Sequence, residues 1–138
     1  MERDNTSLGD YGKKPFVVNI DRYTRINKNF RTALWTGEQM QLTLMSIPVG
    51  GEIGLEKHDE LDQFIKIEEG IGFVMMGESK DALNIQNRVN RNYAVLIPAG
   101  TYHNLKNMGS RPLKLFSLYA PPAHPFGSVE VQAEVEKK

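Results

Sequence analysis

The sequence predicts an all-β protein built as a sandwich or barrel, and three observations lead there. From residue 15 onward, short apolar runs rich in β-branched and aromatic residues recur at close to even spacing. Turn-forming residues fall between them: Gly37, Gly50-Gly51, Gly70, Gly77, Pro98-Ala99-Gly100 and Asn107-Met108-Gly109. Helical periodicity is scarce. At 138 residues the chain reads as one domain, long enough to bury a core without disulfides or structural metal.

Taken in order, residues 1–14 are polar and aperiodic and read as a mobile N-terminal arm. Residues 15–138 read as the single domain, with a C-terminal tail from about 121. The strand-like runs begin with "FVVNI" (16–20), "TALWT" (32–36), "MQLTLMSI" (40–47) and "EIGLEKH" (52–58). They continue with "QFIKIEE" (63–69), "GFVMM" (72–76), "ALNIQNRV" (82–89), "YAVLIP" (93–98) and "RPLKLFSLYA" (111–120). "DRYTRINKNF" (21–30) has room for one helical turn, and "SVEVQAEVEKK" (128–138) reads as a frayed helix capped by Ser128. Both faces of "YAVLIP" are apolar, the mark of a strand covered twice, by the core and by a second subunit.

Composition narrows the function classes. Seventeen basic and seventeen acidic side chains give zero net charge. No basic block stands out, which argues against nucleic acid as a partner. No apolar run approaches the roughly 20 residues of a membrane helix, and "MERDNTSLGDYGKK" lacks the apolar core of a signal peptide. Zero cysteines fit a reducing compartment, so a cytoplasmic setting is expected.

Only three histidines occur: His58, His103 and His124. His58 stands among Glu56, Asp59, Glu60 and Asp62 in strand-forming sequence. Side chains two apart in a strand share a face, so Glu56 and His58 point one way while Leu55 and Lys57 point the other. Gln63, after the polar turn "DELD", is able to return to that face. Carboxylate, imidazole and amide oxygen together suit a first-row divalent metal. Taken alone, His58 among acids reads more readily as a solvated surface residue, and it is the company of His103 and the motif register that turns the reading toward a metal pocket. His103 follows the tight turn Pro98-Ala99-Gly100 and is presented at a strand mouth, where a barrel holds its ligand. His124, in the Pro-rich "PPAHPFG", reads first as a solvated loop residue. Trp35, Tyr102 and Tyr119 are either pocket walls or ordinary core.

The two stretches together resemble the paired motifs of the cupin superfamily. In the first, G-x5-H-x-H-x4-E-x6-G, residues Gly50, His58 and Gly70 match, while Glu56 replaces the first His and Gln63 the Glu. In the second, G-x5-P-x-G-x2-H-x3-N, Pro98, Gly100, His103 and Asn107 match and Asn92 replaces the opening Gly. "NFRTALWTG" and "YAPPAHPFGSV" extend the likeness to a subgroup of small single-domain bacterial cupins, loosely labelled mannose-6-phosphate isomerase-like. The resemblance implies a double-stranded β-helix of the jelly-roll kind and a homodimer. It also implies a divalent ion (Mn, Fe, Ni or Zn) held by Glu56, His58, Gln63 and His103. Some cupins acting on unsaturated sugar acids carry Gln at the Gln63 position.

Two function classes follow. One is a metal-dependent enzyme, isomerase- or tautomerase-like, acting on a small carbohydrate or sugar acid with Glu56 as proton shuttle. The other is a non-catalytic cupin that binds a small molecule. Covalent catalysis finds no support: the chain has no cysteine, no G-x-S-x-G and no phosphate-cradling glycine loop.

Overall fold

The computed structural model describes residues 8–133. Among them one short helix, α1 (Ile20–Ile26), precedes nine strands. These are β1 (Arg31–Thr36), β2 (Gln41–Ile47), β3 (Asp62–Glu69), β4 (Gly72–Gly77), β5 (Ile85–Val89), β6 (Ala94–Ile97), β7 (Tyr102–Asn107), β8 (Leu113–Ala120) and β9 (Val129–Glu130). They form a six-stranded sheet of order β6-β3-β8-β2-β1-β9 and a three-stranded sheet of order β5-β4-β7. Every pairing within them is antiparallel.

Register arranges the inward side chains of the large sheet in rows. Gln41, Tyr119 and Gln63 form one; Ala33, Thr43, Ser117 and Ile65 the next; Arg31, Met45, Leu115 and Ile67 the third. Toward the third row the interior is apolar: Met45, Ile47, Ile67, Leu113 and Leu115 are fully buried and Leu105 nearly so. Each such side chain contributes about 1.5–3 kcal/mol by leaving water. The first two rows bring in the polar Gln41, Gln63, Thr43 and Ser117, which are equally buried. That polarity marks the end where a site belongs, because polar groups taken out of water need partners.

The outer face of the large sheet is also covered. Leu34, Leu44 and Phe116 pack beneath Leu8, Tyr11, Phe16, Val18 and Ile20. Asp10 ties this cover down, accepting hydrogen bonds from the Thr36 amide at 2.9 Å, Gly12 at 3.0 Å and Gly127 at 2.8 Å. Residues 8–14, expected within a mobile arm, are therefore docked; residues 1–7 of that arm lie outside the described residues.

Other differences have physical causes. "FVVNI" alternates as a strand should, but it lies across the sheet without joining a ladder. Its alternation records one buried side, Val17 being 98% exposed. Helix α1 is longer than the single turn expected; the Asn19 side chain caps it by accepting from the Arg22 amide. Residues 52–58 make isolated bridges, Glu52 to Lys106 and Glu56 to His103, in place of a regular strand. The helix expected over 128–138 is corrected: Val129 and Glu130 pair with Thr32 and Arg31 as a strand, and residues 134–138 lie outside the described residues. "YAVLIP" buries Val95 and Ile97 but leaves Leu96 68% exposed.

Candidate metal centre

Local backbone pairing brings the two histidine stretches together. The Glu56 amide donates to the His103 carbonyl at 3.0 Å and the His103 amide to the Glu56 carbonyl at 2.9 Å. Such a reciprocal pair places the two side chains next to each other on one face. His58, two residues on, shares Glu56's face. The Pro98–Gly100 turn is bound to the same segment: Gly100 donates to the His58 carbonyl at 2.8 Å, and Ala99 to Asp62 Oδ1 at 2.9 Å. Gly100 takes a φ of 84° there, which a side chain would strain.

The side chains converge as the backbone dictates. Glu56 Oε1 lies 3.1 Å from His58 Nε2 and 3.4 Å from His103 Nε2. One donor atom from each residue falls within 4.8 Å of the other two. His103 is 2% exposed, while the Glu56 and His58 side chains are 30% and 25% exposed and form the rim. His103 Nδ1 sits 3.0 Å from the Thr101 carbonyl. A carbonyl only accepts, so Nδ1 carries the proton and Nε2 presents its lone pair to the site. That Nε2 is buried without a hydrogen-bond partner; its 3.4 Å approach to Glu56 lacks hydrogen-bond geometry. A lone pair facing a carboxylate oxygen is relieved by a cation between them, and a metal ion fits that demand.

Burial would push the Glu56 carboxyl up, but in metal-free protein the neighbouring His103 and His58 imidazoles outweigh it and bring the group down to about 2. Glu56 is thus ionised at any ordinary pH, as a ligand must be. Gln63 is 4% exposed in the polar first row. Its Nε2 is 3.5 Å from Ser117 Oγ, and its Oε1 is buried with no partner. Opposite it in register is Tyr119, whose ring meets His58 edge-on at 6.0 Å.

Sequence reasoning underrated three further groups. His124 is half-buried, its ring 5.1 Å from Tyr119, and its Nε2 has no partner. Its loop is held by the fully buried Gln41, whose Oε1 accepts from the Ala123 and His124 amides at 3.1 and 2.9 Å. Gln41 Nε2 donates to the His124 carbonyl at 2.9 Å. Tyr119, one of three aromatics suggested for a pocket, does line the interior. Trp35 instead donates to the Lys14 carbonyl at 2.7 Å, and Tyr102 carries Lys57 over its ring. Arg31 and Thr43 were not singled out, because only the long-range register shows that they face inward. Asn107 is structural, donating to the carbonyls of Ile47 and Arg111 at 2.9 Å each.

A model of the cupin domain matches residues 43–119, which span β2 to β8 and all four site positions. The chain belongs to the cupin family. The uncharacterized protein YrkC of Bacillus subtilis is 59% identical over 128 residues, covering 93% of this chain and 69% of that protein. The uncharacterized protein L612 of Acanthamoeba polyphaga mimivirus is 34% identical over 118 residues, covering 85% of this chain and 72% of that protein. The crystal structure of BH2720 from Bacillus halodurans superposes with a TM-score of 0.89 at 57% identity, covering 90% of this chain and 94% of that one. The jelly-roll, double-stranded β-helix expectation therefore holds for this cupin.

Proposed function

We propose that this cupin is a metal-dependent enzyme of the isomerase or tautomerase type, acting on a small carbohydrate or sugar acid. The observation that carries the reading is the Glu56–His58–His103 cluster, with its donor atoms within 4.8 Å of one another and His103 Nε2 unpartnered in the interior. Gln63, through its orphaned Oε1, is the fourth donor. Two imidazoles, a carboxylate and an amide oxygen suit Mn, Fe, Ni or Zn. A divalent ion held there supplies Lewis-acid polarisation of a carbonyl or hydroxyl.

Of the two roles expected for Glu56, ligand and proton shuttle, its depressed carboxyl favours the ligand, since a carboxylate near 2 is a weak base at neutral pH. Proton transfer falls to His124. Burial, and then the Arg31 charge, push its imidazole down, so it is held neutral with its Nε2 unpartnered.

Solvent-deuterium incorporation into candidate sugar acids by the metal-loaded protein is the test. Exchange that is lost in both His103→Ala and His124→Ala supports the enzyme. A protein that takes up metal and binds sugar acids without any exchange is the non-catalytic binding cupin instead.

The same reading pairs the chain with a second copy. β6 is an edge strand, and beside it Met40, Phe64, Leu96 and Leu118 line an apolar groove on the outer face. Analytical ultracentrifugation showing a monomer at micromolar concentration would remove the homodimer.

A further inference from the structure

Arg31 is out of place for a merely structural residue. It points inward from β1 in the row of Met45, Leu115 and Ile67 and is 7% exposed. A guanidinium carries five donors and cannot shed its charge, so burial there is costly unless those donors are used. Only part of the set is. Nη1 pairs with Glu130 Oε1, and Glu130, across from Arg31 on the two-residue β9, keeps 36% of its side chain in solvent. Nη2 has only the weakly accepting Met45 sulfur, at 4.0 Å. Nε is buried with no partner. The Nε/Nη2 edge of the guanidinium plane is therefore left without a strong acceptor, and that edge matches the two oxygens of a carboxylate.

The surroundings are of one kind. Thr43 Oγ1, fully buried in the adjacent row, also lacks a partner. Tyr119, paired with Gln41 one row beyond the Thr43–Ser117 pair, stands on the same inward face and is 1% exposed. The rings of Tyr119, His58 and His103 follow in sequence, 6.0 Å and 5.7 Å apart, and so connect this corner to the metal-ligating cluster.

We propose that Arg31, with Thr43 and Tyr119, forms an anion subsite that takes the carboxylate of the substrate beside the Glu56–His58–His103 cluster. The inference deepens the enzymatic reading and rests on it: the substrate is a sugar acid or similar small carboxylate, and a neutral sugar leaves the Nε/Nη2 edge unmatched. Glu130 is then the resident counter-ion that pairs with the guanidinium while the subsite is empty.

The test follows the Arg31 Nε–Hε resonance by NMR in chelator-treated, full-length protein, titrated with acetate, pyruvate, acetamide and inorganic phosphate. A saturable shift with acetate and pyruvate, and none with the uncharged acetamide, is expected. Arg31→Lys, which keeps the charge and loses the planar fork, weakens acetate binding, read by calorimetric titration, at least about tenfold. Glu130→Gln, which removes the competing charge, tightens it about threefold. His103→Ala retains the acetate response, and metal content measured separately shows whether the neighbouring cluster binds its ion. A response to acetate without metal uptake supports the subsite and removes only the metal. No response of wild-type Arg31 to either carboxylate, or a response to phosphate alone, overturns the proposal. So does a Glu130→Gln protein that stays folded and gains no carboxylate affinity, since Arg31 would then be a structural ion pair.

Discussion

Asn92 stands where the cupin motif opens with glycine, and its φ of 75° explains the exchange. Asparagine tolerates the left-handed region better than other side chains. Asn92→Gly is thus expected to change stability little, whereas Asn92→Ala costs about 1–2 kcal/mol, measured by urea denaturation. A similar cost for both would mean that the Asn92 side chain matters through its contact with Lys66 Nζ, 3.3 Å away. Glu56 makes a pH prediction. Its folded carboxyl is held at about 2 against an ordinary value of 4.5, so its contribution is fully present above pH 4.5. In metal-free protein that contribution is lost as pH falls from 4.5 toward 2. Glu56→Gln should flatten this part of the stability profile, and an unchanged profile would show that the two imidazoles do not hold the carboxylate. At this scale the sequence was most informative where geometry is local. Period-two alternation puts Glu56 and His58 on one face, and the turn before His103 presents it. Arg31, Thr43 and His124 were not legible as a group, since 93 residues of chain separate Arg31 from His124 and no local pattern encodes their meeting.

Among elements, the loop carrying His124 is the one most dependent on a single side chain. Gln41 holds it by three hydrogen bonds and spends a fourth, at 2.9 Å, on Thr36 Oγ1. Gln41→Ala is expected to cost about 2–4 kcal/mol, at roughly 1 kcal/mol per buried hydrogen bond. It should also abolish hydrogen-exchange protection at the Ala123 and His124 amides, and retained protection there would mean that the loop is held by packing. Strands with strong alternation and flanking turns, such as β2, β3 and β8, were readable in advance. Residues 16–20 and 128–133 were not. Alternation reports which side is buried but is silent on whether the backbone finds a ladder, and a two-residue strand such as β9 is defined wholly by its partner β1.

For the molecule as a whole, one sheet is asked to do two things. Its inner face carries the buried polar side chains Gln41, Thr43, Gln63 and Ser117, and its outer face is packed beneath apolar residues from 8 to 20, so the wall behind the site is covered on both sides. Leu44, fully buried in that outer layer, tests the seal: Leu44→Ala should cost about 2–5 kcal/mol. If the layers are separate, the variant still binds metal while folded. The central claim is that Glu56, His58, Gln63 and His103 hold a divalent ion, and elemental mass spectrometry on tag-free wild-type and His103→Ala protein tests it most directly. The structure predicts a near-stoichiometric Mn, Fe, Ni or Zn signal in the wild type that His103→Ala removes. No metal in either protein, even after incubation with each ion, would contradict it.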